Sequence, residues 1–414
     1  MIHINKFSIK INAFIVSILA ILFFAACNGN EINEDVTPPD IVTNISYRAT
    51  SGGAVLYFTA PADDDLLYVK ASYRNSLGND VFKVSSRYCD SIEIDGFVDE
   101  LPHEITLTAI DNNKNESESV KLSVTPLKSY IYAIRDSMTL AVDFGGVRLK
   151  WNERFNPNGK QVFIYLYYEN GSKIEERILS SADTTGNIPV FGLDSIPYNF
   201  YAAVEDFNGN KTDTVGKGTY KPLFEQTIDK STWTVLQSLS VDGDKYEGSL
   251  KAFFDDEIDT KNSNTDNSYF IIDRADNGGQ LNFPLNIVID LNKSVVINRF
   301  KVWQRAFWYL NDDQNGVSDD YYYYQESNMR SFEIYVSNDL ISWTDLGSFD
   351  IGDPKDSEGN VPVAKIQEAI DGHEFVLESA SPAFRYLKFA ILSNYGSEIY
   401  VYGSEITLYG LDNQ

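Results

Sequence analysis

Apolar and polar residues alternate with a period of two over short runs along most of this chain, as in IYLYYEN from Ile164 and SFEIYVS from Ser331. Such alternation buries one face of a β-strand, and the 3.6-residue period of an amphipathic helix is almost absent. Runs such as NIVIDL from Asn286 are nearly all apolar and predict strands covered on both faces. Gly, Asn and Asp clusters between the runs predict turns. The predicted fold class is all-β.

The pattern also repeats. GGAVLYFTAP from Gly52, VKASYRN from Val69, and Gly96 and Pro102 before TLTAIDNNKNES return as GGVRLKWNER from Gly145, IYLYYEN from Ile164, and Gly192 and Pro197 before FYAAVEDFNGNKT. Corresponding landmarks lie about ninety-five residues apart in the same order, as tandem duplication produces. Strand runs at this spacing predict a seven-stranded sandwich in each copy. The repeats predict hairpin turns at DNNKN from Asp111 and DFNGN from Asp206; each carries one Asp and lacks the downstream Glu of a calcium loop. From about Trp233 the strands and loops lengthen.

The N-terminus adds a compartment. Lys6 and Lys10 precede the apolar run Ala13–Phe24, which is short for a bilayer span and followed by Ala25, Ala26 and Cys27. LFFAAC resembles a bacterial lipobox, which implies cleavage before Cys27 and lipidation of its thiol. Residues 27–38 then read as a tether. Glu31, Glu34 and Asp35 resemble the acidic signal that sends Bacteroidetes lipoproteins to the outer face of the outer membrane, so a lipid-anchored protein facing the cell exterior is expected. Removing residues 1–26 removes two lysines and no acids, taking the net charge from −26 to −28. A nucleic-acid partner is excluded on charge. Cys89 remains as the one other cysteine, predicted to be a small buried hydrophobe, and His103 and His373 leave little material for zinc or histidine chemistry.

Both repeats resemble fibronectin type III modules, assigned to residues 39–127 and 128–222. In residues 223–414, the succession IDL, INRFKVW, FEIYVSND, RYLKF and EITLYG resembles the discoidin-type jelly roll, also called the coagulation factor 5/8 C-terminal domain, a galactose-binding-like sandwich. The whole arrangement resembles surface lipoproteins of Bacteroidetes glycan-utilisation loci. That resemblance implies a non-catalytic glycan-binding protein that captures polysaccharide or oligosaccharide for uptake beside outer-membrane transport proteins. An adhesin for host or neighbouring-cell protein is the alternative. It also implies a structural Ca2+ held by Asp255, with Asp256, Glu257 and Thr260 offering oxygens, and by Glu405 from the last strand.

Between KVWQR and SFEIYVS stand about twenty-five residues, long for a connection without a function and too aromatic for disorder. Flat rings stack on sugar C–H surfaces while amides and carboxylates read hydroxyls. Phe307, Trp308, Tyr309, Tyr321, Tyr322, Tyr323 and Tyr324, flanked by Arg305 and Arg330, are therefore the expected carbohydrate site, joined by Asn394 and Tyr395 from a late loop. The segment is expected to fold as a hairpin, with Tyr321 and Tyr323 on one face and Tyr322 and Tyr324 on the other. Paired carboxylates for glycoside hydrolysis are unavoidable among sixty acids and point to nothing.

Overall fold

The structure, a computed structural model, describes residues 36–152, 159–171, 173–243, 248–260, 268–274, 279–306 and 323–413. The chain divides into two compact units, the first containing residues 1–130 and the second most of the remainder. Among the described residues, no helix is long and apolar enough to cross a membrane.

The first unit is a fibronectin III-like sandwich. Its strands are β1 (Thr43–Thr50), β2 (Gly53–Thr59), β3 (Leu66–Arg74), β4 (Asp80–Ser86), β5 (Ser91–Asp95), β6 (His103–Asp111) and β7 (Val120–Val124). They form two antiparallel sheets, ordered β1-β2-β5 and β4-β3-β6-β7. Leu56 and Ile94 from one sheet and Val69, Ala71, Ile105 and Leu107 from the other make the core, as the period-two pattern requires. Tyr73 ties the sheets together by donating its hydroxyl to the carbonyl of Asp95 at 2.9 Å. The DNNKN turn closes on itself: the Asp111 carboxylate accepts from the backbone and side-chain nitrogens of Asn115, both at 2.8 Å. Cys89 departs from expectation. It lies exposed in a turn where its N–H donates to the Ser86 carbonyl, because the chain has left β4 before reaching it.

The second unit opens at Ile131, within the helix Tyr130–Ser137, and repeats the sandwich. Strands β8 (Thr139–Asp143), β9 (Gly146–Trp151) and β12 (Gly186–Phe191) make one sheet; β10 (Val162–Asn170), β11 (Lys173–Ser181), β13 (Tyr198–Asp206) and β14 (Val215–Tyr220) make the other. The duplicated Gly-Gly landmark has a physical cause. Gly52 and Gly145 take φ of +70° and +60°, and a Cβ on Gly53 or Gly146 would stand 2.0 or 1.8 Å from the carbonyl oxygen of Ile94 or Val190.

The head of the second unit is an antiparallel β-sandwich of jelly-roll type. Its strands are β15 (Gln226–Thr227), β16 (Thr234–Val235), β17 (Phe270–Asp273), β18 (Leu285–Val302), β19 (Met329–Ser337), β20 (Thr344–Asp350), β21 (His373–Val376), β22 (Phe384–Asn394), β23 (Tyr400–Gly403) and β24 (Ile406–Asn413). The large sheet runs β15-β24-β18-β22-β19-β20, with β16 and β21 also on β18, and a small sheet pairs β17 with β23. Phe300, Phe332 and Phe389 fill its core together with Ile287, Ile289 and Leu387. Among the described residues of the head, the α-helix Val363–Asp371 and the short 3-10 helices Gln237–Leu239 and Leu250–Phe254 interrupt the β pattern.

Within this unit the second module and the head are joined by buried polar contacts. Arg148 donates to the Leu377 carbonyl at 2.9 Å, and Asn298 to the Phe144 carbonyl at 3.2 Å. Arg299 makes a forked bond to Glu225, with nitrogen–oxygen separations of 3.0 and 2.5 Å, and a further ion pair to Glu374.

Candidate functional site

The small sheet of the head positions the site. In β23 the side chains of Tyr400 and Tyr402 share one face while Val401 enters the core on the other. Their rings lie 5.9 Å apart. Gly403 faces Phe270 across the pair, where a Cβ would stand 2.4 Å from the ring, so only glycine lets β17 approach. Just before β17, Tyr269 carries the guanidinium of Arg305 on its ring face, 3.4 Å from the centroid. Tyr402 lies 4.8 Å from the same guanidinium, and the Asp259 carboxylate is 3.9 Å from its Nε.

Arg305 is the last but one described residue before the aromatic segment, and Tyr323 is the first after it. Wholly buried Asn328 holds both ends. Its Oδ1 accepts the Arg305 N–H at 3.1 Å, and its Nδ2 donates to the Arg305 carbonyl at 2.9 Å and to the Tyr323 carbonyl. The Asp259 N–H donates to Ser404 Oγ at 2.8 Å, and Ser268 Oγ donates to its carboxylate at 3.1 Å. Burial, then the neighbouring Asp259 charge, raise the pKa of the half-buried Tyr323 phenol above its ordinary value. A guanidinium on a tyrosine face beside a carboxylate and further rings thus stands at the mouth of the long segment. Tyr269, Arg305 and Asp259 are themselves buried, so this cluster braces the half-buried ring of Tyr402.

Of the expected carbohydrate residues, Phe307, Trp308, Tyr309, Tyr321 and Tyr322 lie outside the described residues, as does Cys27. Tyr323 and Tyr324 correct the strand expectation. They occupy a turn, and the returning strand begins only at Met329. Consecutive residues in a turn need not alternate, so Tyr324 packs inward by its own geometry. It is buried, donates its hydroxyl to the Lys365 carbonyl at 2.8 Å, and meets His373 and Tyr395 edge-on with centroids 5.7 and 6.1 Å away.

Tyr395 is brought to Tyr324 as expected of the late loop, but its hydroxyl is committed to structure. It accepts from Gln304 Nε2 at 3.1 Å and donates to the Gly352 carbonyl at 2.7 Å, and burial raises its pKa. Asn394 closes its own loop, donating to the carbonyls of Ser397 and Tyr400 at 2.8 and 3.0 Å. Arg330 pairs with Asp350 at 3.3 Å in a half-exposed bridge, and its guanidinium lies 5.9 Å from the ring centroid of Tyr395. Residue-by-residue reading overlooked Asp259, Tyr269, Tyr400 and Tyr402, and took Asn328 as a polar group of the long segment rather than as its buried clamp. For Tyr400 and Tyr402, the alternation in EIYVYG was the available signal.

The five residues expected to hold calcium do not fit a cation. Asp256, Glu257 and Thr260 are exposed, and the Asp255 carboxylate accepts the Glu257 N–H at 3.0 Å. Both Glu405 oxygens are in use: Oε2 accepts the Asp256 N–H at 2.8 Å, and Oε1 accepts from Lys230 Nζ at 2.8 Å and the Ile406 N–H at 2.9 Å. Among the described residues no group of three or more His, Cys, Asp or Glu side chains is placed to hold a metal ion.

His373, under the tyrosines, is 2% exposed with its Nδ1 3.5 Å from Glu368. Burial pushes its pKa from 6.5 down to about 4, with Glu368 pulling the other way. The unfolded chain therefore binds the proton more readily between these values. This contribution to stability is complete above pH 6.5 and is lost as pH falls towards 4, by about 3 kcal/mol for the group. Denaturant titrations across that window should show a shallower decline in His373→Phe than in the unsubstituted chain.

Three family models match, each described as a domain of unknown function: DUF4959 over residues 39–126, DUF5126 over residues 127–231 and DUF5000 over residues 261–410. None of the curated proteins matches. Among solved structures, SusE-like protein BT2857 is 20% identical, with 67% of this chain and 97% of that chain covered at a TM-score of 0.40. The C-terminal domain of a chitobiase from Bacteroides fragilis is 15% identical, over 46% of this chain and 100% of that chain, at 0.29. CBM32-3, from a family 31 glycoside hydrolase of Clostridium perfringens, is 16% identical, over 45% and 95%, at 0.27.

Proposed function

We propose that this chain is a non-catalytic glycan-binding protein, anchored through lipid on Cys27 to the outer membrane and facing the cell exterior. The head captures polysaccharide or oligosaccharide, and neighbouring outer-membrane transport proteins and degrading enzymes receive it. The observation that carries this reading is the cluster of Tyr269, Tyr402, Arg305 and Asp259 at the base of the aromatic segment. Buried Tyr269, Arg305 and Asp259 fix the half-buried Tyr402 ring, and a fixed ring suits a ligand with apolar ring faces. The sequence resemblance of the head to discoidin-type domains, and of the N-terminus to a lipobox, supports the same reading.

Calorimetric screening of the mature chain against plant and host glycans tests it. At least one glycan is expected to bind, and Trp308→Ala is expected to weaken that binding about tenfold or more. A chain that ignores every glycan but is retained on a protein array would favour the adhesin reading, and turnover of an oligosaccharide would overturn the non-catalytic one.

A further inference from the structure

Lys230 lies between β15 and β16 in an otherwise unremarked stretch, TIDKSTW. Its side chain is 2% exposed, yet it carries an ammonium. That ammonium donates to three side-chain oxygens, Asp256 Oδ1 at 2.7 Å, Glu405 Oε1 at 2.8 Å and Thr407 Oγ1 at 3.0 Å. Three donors meet three acceptors, so the group is saturated.

The acceptors include the glutamate of the final strand and an acid of the early loop, two of the residues that the sequence resemblance marks for calcium. We infer that Lys230 is a tethered cation that takes the place of a metal ion in the head, holding the segment Asp255–Thr260 to the start of β24 without calcium. A divalent ion would need oxygens at about 2.3–2.6 Å. At that distance from Glu405 Oε1 it would sit against the ammonium, and like charges repel strongly in a buried setting.

Asp256 bears the mark of the same substitution. Its φ is +67°, in the left-handed region that favours glycine. An aspartate there is strained, and its contact with Lys230 offsets that strain, which glycine could not do. The pinned segment also supplies Asp259, whose N–H is held by Ser404 and whose carboxylate faces Arg305. The lysine therefore supports one wall of the candidate site from beneath, through a bond that no chelator can remove.

The test uses the full mature chain. Its melting temperature is expected to be the same in excess chelator and in millimolar calcium, and calorimetric titration with calcium is expected to show no binding heat at this site. Lys230→Gln is expected to melt lower by roughly 6–12 °C, because Glu405 stays buried without its counter-ion. A rise of several degrees with calcium in the unsubstituted chain, or an unchanged melting temperature in Lys230→Gln, would overturn the inference. Should Lys230→Gln not fold, the comparison of chelator and calcium on the unsubstituted chain decides alone. Either result leaves glycan binding to be judged on its own measurement.

Discussion

Phe332→Ala is expected to destabilise the head by about 3–5 kcal/mol, the cost of emptying a buried aromatic site that cannot collapse. Phe332 is fully buried on β19. Its ring stacks on Phe389 with centroids 4.4 Å apart and meets Phe375 at 5.3 Å, Phe349 at 5.9 Å and Phe300 at 6.2 Å. Those four rings come from four different strands or their flanks, so no single rotamer change fills the space. Phe332→Leu keeps most of the volume and should cost much less. Denaturant unfolding followed by tryptophan fluorescence distinguishes the two variants, and equal midpoints for Phe332→Ala and the unsubstituted chain would contradict this picture of the core.

Arg299→Ala is expected to cost a similar amount, about 3–5 kcal/mol, for an electrostatic reason. The guanidinium is 11% exposed and its main partner Glu225 is 9% exposed, so removing the arginine strands a carboxylate away from water. The side chain also lies flat between Tyr409, 3.7 Å from the centroid, and Phe191, 4.8 Å away, and alanine forfeits both contacts. Phe191 belongs to β12 of the second module and Arg299 to β18 of the head, so the loss loosens that junction. Replacing both charges, as in Arg299→Met with Glu225→Leu, should recover much of the stability, because only the more exposed Glu374, 27% exposed, is then left without its partner. If the double variant were no more stable than Arg299→Ala alone, packing rather than charge would carry the effect.

The strands were legible because a half-buried strand shows a period of two, which β10 keeps along nearly its whole length, while β6 and β13 become buried on both faces and show apolar runs instead. The duplication was legible for a similar reason: Gly53 and Gly146 have no room for a side chain, so both copies must present the same residue. Local pattern was silent about contacts made at a distance. Lys230 meets Glu405 and Thr407 across 175 and 177 positions of chain, and nothing in TIDKSTW announces a buried ammonium. Tyr323 and Tyr324 misled because β-formers in succession read as strand, whereas Asn328, 23 positions from Arg305, clamps the backbone at Arg305 and Tyr323, and both tyrosines lie in a turn. Cys89 misled in the same way: its neighbour Tyr88 is 83% exposed, so the run RYCD lies beyond the sheet although its composition suits a strand.

Glycan capture at the aromatic end of the head is tested most directly by affinity electrophoresis of the mature chain through gels containing candidate polysaccharides. Tyr402→Ala and Trp308→Ala are measured beside Tyr335→Ala, an aromatic change outside the Arg305 cluster. Retardation by at least one polysaccharide, lost in the first two variants and kept in Tyr335→Ala at matched melting temperature, is the predicted result. Mobility unaffected by every polysaccharide, or retardation that survives both Tyr402→Ala and Trp308→Ala, would contradict it.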